Sequence, residues 1–442
     1  MFRRSVGQLP ATIGTHRLDF IVDNETFHRG VHWSAWATAL FTFPLIFLGG
    51  LVTSKGVGLA VPDWPNSFGY NMWYFPPSRW VEGIFYEHVH RLKGTLVGFC
   101  SIVLVLQAWG PAANPFLRRV LGIVGVTMLG MGILLSFSLF TLDGTANRVM
   151  QHALSGFKGI GLICIAAYFA RAAHPSRLVR WLSVAVLVAV LVQGLLGGLR
   201  VTEISTTLAI IHGCFAQAFF ALVICVIVLT SRWWIHAPGA ADPLGDGARL
   251  SRWLGVCVLA IYAQLIIGAV MRHHQAGLAI PDLPLHYGQL LPPRDAHELA
   301  KVNAWRASLD PPLGPVALWQ VWIHFAHRTG AVVVSSLVLA SLWMLLRRSR
   351  PAGLKPLGVA VLVLLATQFT LGLLSVYLRK PADIASLHVA VGALLLVVTV
   401  ALLLRVGRIY SPSRTPRQTP LPAGSQPDPR EAGGLVVGTS LG

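Results

Sequence analysis

GLAVPDWP, Gly58 to Pro65, recurs as GLAIPDLP, Gly277 to Pro284, at an offset of 219 residues. A match of this length is too long for chance and marks an internal duplication, in which functional positions are expected twice. Each copy follows a long apolar run and precedes another. Working outward, Gln193 precedes GLLGGL and His212 follows it by 19 residues, while Gln368 precedes FTLGLL and His388 follows it by 20. Two copies of one unit therefore account for most of the chain.

Composition sets the class of that unit. Hydrophobic residues make up 54% of the 442 residues and charged residues 12%. Ten apolar runs come close to or exceed the roughly 20 residues that cross a hydrocarbon core. They lie near 36–53, 89–109, 119–141, 154–171, 181–199, 208–231, 253–271, 321–346, 356–376 and 386–406. The chain reads as an all-α polytopic membrane protein with both termini on one side. Arg3, Arg4, Arg17 and Arg29, the links with Arg118 and Arg119, with Arg171, Arg177 and Arg180, and with Arg347, Arg348, Arg350 and Lys355, and the tail with Arg405, Arg408, Arg414 and Arg417 share that side. The positive-inside rule makes it cytoplasmic. The net charge of +18 then reflects topology and contact with anionic lipid headgroups. Nucleic acid is not an expected partner, because no basic segment is interleaved with aromatics in a foldable soluble domain.

Residues 1–35 read as a polar cytoplasmic arm without a secretory signal, and 407–442, rich in Pro, Ser, Gly and Thr, as a disordered cytoplasmic tail. Between them lie an N-terminal transmembrane half, 36–231, a cytoplasmic linker, 232–251, and a C-terminal half, 252–406. All five cysteines fall in predicted spans, so no structural disulfide is expected.

Four histidines mark equivalent places in the two halves. The first half holds His90 in EHVHR and His212 in LAIIHG; the second holds His327 in HFAHR and His388 in ASLHVAVG. His90 and His212 are 122 residues apart, against 61 for His327 and His388. The surplus in the first half suits two extra spans inserted at about 115–175. The expected architecture is two pseudo-symmetric four-helix bundles with that pair added to the first, and such bundles commonly house haem. All four histidines fall within about two turns of the outer end of their helices at 1.5 Å rise per residue. Ionisable residues inside spans usually face the bundle interior with a functional partner. Neutral imidazole is a good iron ligand, and a facing pair gives a six-coordinate haem. Two halves then give two haem sites. His88 and His324 read as structural or interfacial, and His28, His32, His273, His274, His286 and His297 as arm or loop residues that are solvated by default. The His273, His274 pair leaves a copper role open.

With these residues in place, the chain resembles the haem A synthases, membrane enzymes that convert haem O to haem A for cytochrome oxidases. The resemblance covers about 36–231 and 252–406 and rests on EHVHR, on GLAVPDW with Gly49 and Gly50 before it, and on the three remaining histidines. It implies that His90 and His212 ligate the substrate haem O and that His327 and His388 ligate a haem b cofactor. It also implies oxidation of one porphyrin methyl to a formyl group by successive hydroxylation, with an electron donor that the sequence does not identify. Haem O synthase and cytochrome oxidase assembly factors are the partners implied, and the location is a bacterial-type inner membrane with the haem sites toward the outer face. The inserted spans lie outside the family's eight-helix plan, and the paired outer-loop cysteines that some members carry are absent.

Glu87 lies three residues before His90, one turn further out on the same helix face, where the second half has His324. An acid beside one site only places the chemistry there, with Glu87 as general acid or base; the bland alternative is an ion pair with Arg91 or Lys93. Arg91 and Arg328 are candidates for haem propionates, with interfacial snorkelling as the alternative. The outer loops at 54–87 and 272–320 are expected to cap the sites, with Asp63 and Asp282 holding their turns. Two other functions share the same histidines: a bis-histidine cytochrome b that only transfers electrons, and a haem transporter or chaperone.

Overall fold

The computed structural model describes residues 26–110, 114–140, 144–170, 175–237, 245–347 and 353–410. The first 25 residues of the arm and the tail from 411 lie outside the described residues. Among the described residues, ten helices are long and apolar enough to span a membrane. They are α1 (Arg29–Ser54), α2 (Glu82–Trp109), α3 (Pro115–Leu134), α4 (Gly144–Phe169), α5 (Arg177–Thr202), α6 (Thr206–Leu229), α8 (Asp246–His273), α10 (Leu318–Leu346), α11 (Leu354–Tyr377) and α12 (Ala382–Tyr410). Two shorter helices complete the set, α7 (Arg232–His236) and α9 (Ala296–Ala307), and a small hairpin pairs β1 (Asn66–Ser67) with β2 (Tyr70–Asn71). The fold is all-α and polytopic, as the hydropathy requires.

Several helices run past the apolar windows because polar residues form their first turns and caps. The side chains of Ser176 and Ser205 accept from Val179 N at 3.4 Å and Leu208 N at 3.2 Å, starting α5 and α6. The linker expected over 232–251 holds α7, whose Trp234 carbonyl accepts from Arg408 Nε at 3.2 Å, and α8 already begins at Asp246. The expected arm, 1–35, likewise ends inside α1.

Helix packing follows one cyclic order twice. In the first half α1 packs on α2 and α6, and α5 packs on the same two. In the second, α8 packs on α10 and α12, and α11 packs on those two. The halves meet through α1 and α6 against α12, with α6 also touching α8. Small residues permit the approach, since lipid supplies no hydrophobic force between helices and close packing must hold them. A Cβ on Gly50 of α1 would meet Ser386 Cβ of α12 at 2.9 Å.

The inserted pair joins the first half through α4. α3 and α4 form a tight hairpin: a Cβ on Gly125 would meet the Gly161 carbonyl at 2.9 Å, and one on Gly161 would meet Leu129 N at 2.8 Å. α4 begins ten residues before the apolar window at 154–171, because its first turns are polar and bind the β-hairpin. Gln151 Oε1 accepts from Asn71 N at 3.2 Å, and Ser155 Oγ donates to Asn71 Oδ1 at 3.0 Å. α4 also packs against α2.

Candidate haem sites

The repeated segment and the helix after it are fastened together in the same way in both halves. Asp63 accepts from Phe68 N and Gly69 N, both at 2.7 Å; Asp282 accepts from Tyr287 N and Gly288 N, both at 2.9 Å. Arg91 donates to the carbonyls of Val61, Asp63 and Asn66. Arg328 donates to Ile280, Asp282 and Leu285, each 219 residues on. Both guanidinium groups thus staple the repeated segments, a task for which a planar fork of donors is well suited. Tyr287 donates to the Ala279 carbonyl; burial pushes its phenol up to about 12, so the proton stays in place.

The fastening exposes one substitution. Val61 N donates to Glu87 Oε2 at 3.0 Å, and Ile280 N donates to His324 Nδ1 at 3.1 Å. Glu87 and His324 occupy the same hydrogen-bonding position, and each is 2% exposed. Glu87 Oε1 also pairs with Arg91 at 2.7 Å. His88 is buried, with Nδ1 3.1 Å from Ser67 Oγ.

Below this cap, one cavity of about 1210 Å³ reaches all four key histidines and Glu87. His90 and His212 face each other with ring centres 6.4 Å apart; His327 and His388 do the same at 6.4 Å. Two imidazoles sharing one metal, each nitrogen about 2 Å from it and each ring centre about 1.2 Å further back, have centres roughly 6.3 Å apart. Among the described residues no three or more His, Cys, Asp or Glu side chains converge on a bare-ion site. A pair alone fits a metal that brings its other ligands with it, as iron in a porphyrin does.

The surroundings orient the rings. His212 Nδ1 lies 3.2 Å from the Gln193 carbonyl and His388 Nδ1 3.2 Å from the Gln368 carbonyl. A proton donated there leaves Nε2 free for a metal. His327 Nδ1 is 3.0 Å from Gln264 Nε2. Each ring also rests on a glycine of the neighbouring helix. A Cβ on Gly49, Gly197, Gly268 or Gly372 would meet Cε1 of His90, His212, His327 or His388 at 3.1, 2.8, 3.0 and 3.1 Å. The sequence reading named Gly49 as part of a motif and foresaw none of the four contacts. The available signal was a glycine inside an apolar helix at a fixed distance from a histidine.

Three basic residues on the cavity wall were also missed, Arg200, Arg272 and Lys380. Arg200 Nη2 donates to the Gly58 carbonyl at 2.8 Å and lies close enough to act electrostatically on Glu87, His90 and His212. Arg272 donates through Nη2 to the Gly50 carbonyl and Ser54 Oγ, and acts on His388 and Lys380. Lys380 Nζ reaches Gln275 Oε1 at 3.1 Å; burial, and then Arg272, lower its pKa.

Three histidines expected to be solvated are placed elsewhere. His32 sits in α1 with Nδ1 3.0 Å from Thr230 Oγ1. His273 ends α8 and lines the cavity, and His286 lines it too, its ring packed on Phe325. Hydropathy windows missed these places because helix ends and caps carry polar residues. His274 instead packs edge-on against Trp319, ring centres 5.1 Å apart.

Comparison with known proteins bears on this geometry. The chain matches the family described as cytochrome oxidase assembly protein over residues 146–400. It is 25% identical over 403 residues to a protein named heme A synthase from Rhodopseudomonas palustris, covering 89% of this chain and 94% of that one. A heme A synthase from Sinorhizobium fredii is 23% identical over 380 residues, covering 84% and 88%.

Proposed function

The chain belongs to the cytochrome oxidase assembly protein family, and from that membership we propose that it is a haem A synthase, a multi-pass membrane oxidoreductase acting on haem O. The observation that carries the reading is the pair of imidazole pairs with ring centres 6.4 Å apart in one cavity. His90 and His212 hold the substrate haem in the N-terminal half. His327 and His388 hold a haem b cofactor in the C-terminal half. Bound there, haem iron would supply the redox chemistry that turns one porphyrin methyl into a formyl group, by two hydroxylations whose oxygen atoms come from an oxidant outside the chain, and by loss of water.

The chain's own residues position and protonate. Glu87 lines the cavity beside the first pair and exchanges the protons released during oxidation. The Val61 amide and Arg91 orient its carboxylate. Arg200 at the first pair and Arg272 at the second, each on the cavity wall and bonded to a backbone carbonyl, join Arg91 and Arg328 as the residues that take the haem propionates. The caps over both pairs exclude water from the porphyrin faces. In this reading both termini are cytoplasmic, the protein sits in a bacterial-type inner membrane, and haem is bound toward the outer face. Haem O synthase, oxidase assembly factors and an external electron donor are its partners.

The test is haem extraction from protein purified out of a host that makes haem O, followed by chromatography and mass spectrometry. Wild type yields haem b, haem O and haem A. Glu87→Gln keeps an oxygen for the Val61 amide while removing the ionisable group, so it yields haem b and haem O without haem A. Haem b alone from wild type would instead favour an electron-transferring cytochrome, and haem O bound and released unchanged would favour a carrier.

A further inference from the structure

We propose that the inserted helix α4 forms one wall of a lateral slot for the isoprenoid tail of the substrate haem; this rests on the assignment of His90 and His212 to haem O. Gly159 and Ile163 of α4 line the same cavity as those two histidines. They lie deeper than the rings. Ser155, one turn before Gly159 on α4, bonds Asn71, whose neighbour Met72 meets Thr95 of α2, itself five residues beyond His90. From His90 to Ile102, the last α2 residue on the cavity wall, the slot runs for roughly 18 Å.

The slot has the chemistry of a tail and the shape of a channel. Gly94 and Gly98 of α2, Gly159 of α4 and Gly194 of α5 all line it, and a Cβ built on any of them meets nothing within 4 Å. Four glycines facing open space on three helices keep a continuous gap where larger side chains would close it. Phe99, Ile102, Ile163 and Leu187 beside them are apolar, and the one hydroxyl among them, that of Thr95, donates to the Arg91 carbonyl. On α5, Leu191 and Leu195 line the cavity and remain 64% and 50% exposed, so that lip opens toward lipid. An uncharged chain leaving the porphyrin edge thus has an apolar path outward. The polar tie of α4 to the β-hairpin and its glycine packing on α3 hold the wall in place. α4 has no counterpart in the second half, whose haem b has no tail.

The experiment uses full-length protein from a host that makes haem b but no haem O, so that haem b fills the cofactor site. Haem O or haem B is titrated in and the bis-histidine absorption change is followed. Wild type is expected to bind haem O at least about tenfold more tightly than haem B, since burying even a short apolar stretch of the tail contributes that much. Gly159→Trp and Ile163→Trp remove most of that preference and leave haem B affinity within about twofold. Gly156→Trp, on α4 but off the cavity wall, preserves it. Equal wild-type affinity for the two haems overturns the slot alone, as does equal weakening of both haems by Gly159→Trp, or loss of preference in Gly156→Trp. Absence of any bis-histidine change with either haem overturns the substrate-site assignment itself.

Discussion

The two halves hold their histidines alike and differ in what stands beside them. Ring separations, backing glycines, turn-holding aspartates and carbonyl-stapling arginines recur with matching partners. Where Val61 N meets Glu87, Ile280 N meets His324. Only the first half has the wall contributed by α4. The scaffold for gripping a flat ring can be used twice, and under the proposed function the difference between substrate and cofactor resides in a few side chains and one added hairpin.

That comparison can be broken at several points. The largest effect is expected from the ligands: His327→Ala or His388→Ala should remove the haem b signal, while His90→Ala or His212→Ala should spare it and abolish haem O binding. Quantified haemochrome spectra and electron paramagnetic resonance separate the two outcomes. If any single substitution empties both sites, the halves do not act independently.

Next comes the asymmetric pair. Glu87→Gln should slow haem A formation by about 10²–10⁴-fold, the usual loss of a positioned proton-transfer group. His324→Gln, which keeps a side-chain acceptor available to Ile280 N, should change the rate by no more than about threefold. Similar losses in both variants would reduce Glu87 to a structural role.

Glycine substitutions sharpen the symmetry with a smaller effect. Gly197→Ala places a methyl 2.8 Å from His212 Cε1, and Gly372→Ala places one 3.1 Å from His388 Cε1. Each tilts its imidazole, with haem affinity expected to fall about tenfold at the first and less at the second. Haem transfer to apomyoglobin measures both. The smallest effect is expected at the caps: Asp63→Asn and Asp282→Asn each lose one acceptor, at a cost of about 1–2 kcal/mol in thermal unfolding.

Much of the pairing was legible along the chain. The GLAVPDWP repeat, the Gln-to-His spacings and the 61-residue surplus depend only on order and distance, which duplication preserves. The backing glycines were not legible, because a helix glycine carries no sign of which neighbour it faces. Arg91 and Arg328 drew attention by standing beside histidines in sequence. One residue later on a helix is about 100° around it, and both side chains turn up into the outer segment. Arg200 and Arg272 approach from other helices, at positions that nothing local marks.

By itself, the sequence determined the all-α membrane class, the ten spans, the repeat and the matched histidine positions. Hydropathy, periodicity and internal identity are properties of order along the chain. Tertiary structure alone decided which cations reach the cavity, that Glu87 and His324 share one hydrogen-bonding position, and that an inserted helix borders the first site. Those are contacts between segments far apart in sequence, set by how helices of nearly uniform apolar surface pack, and small residues distributed over several helices determine that packing.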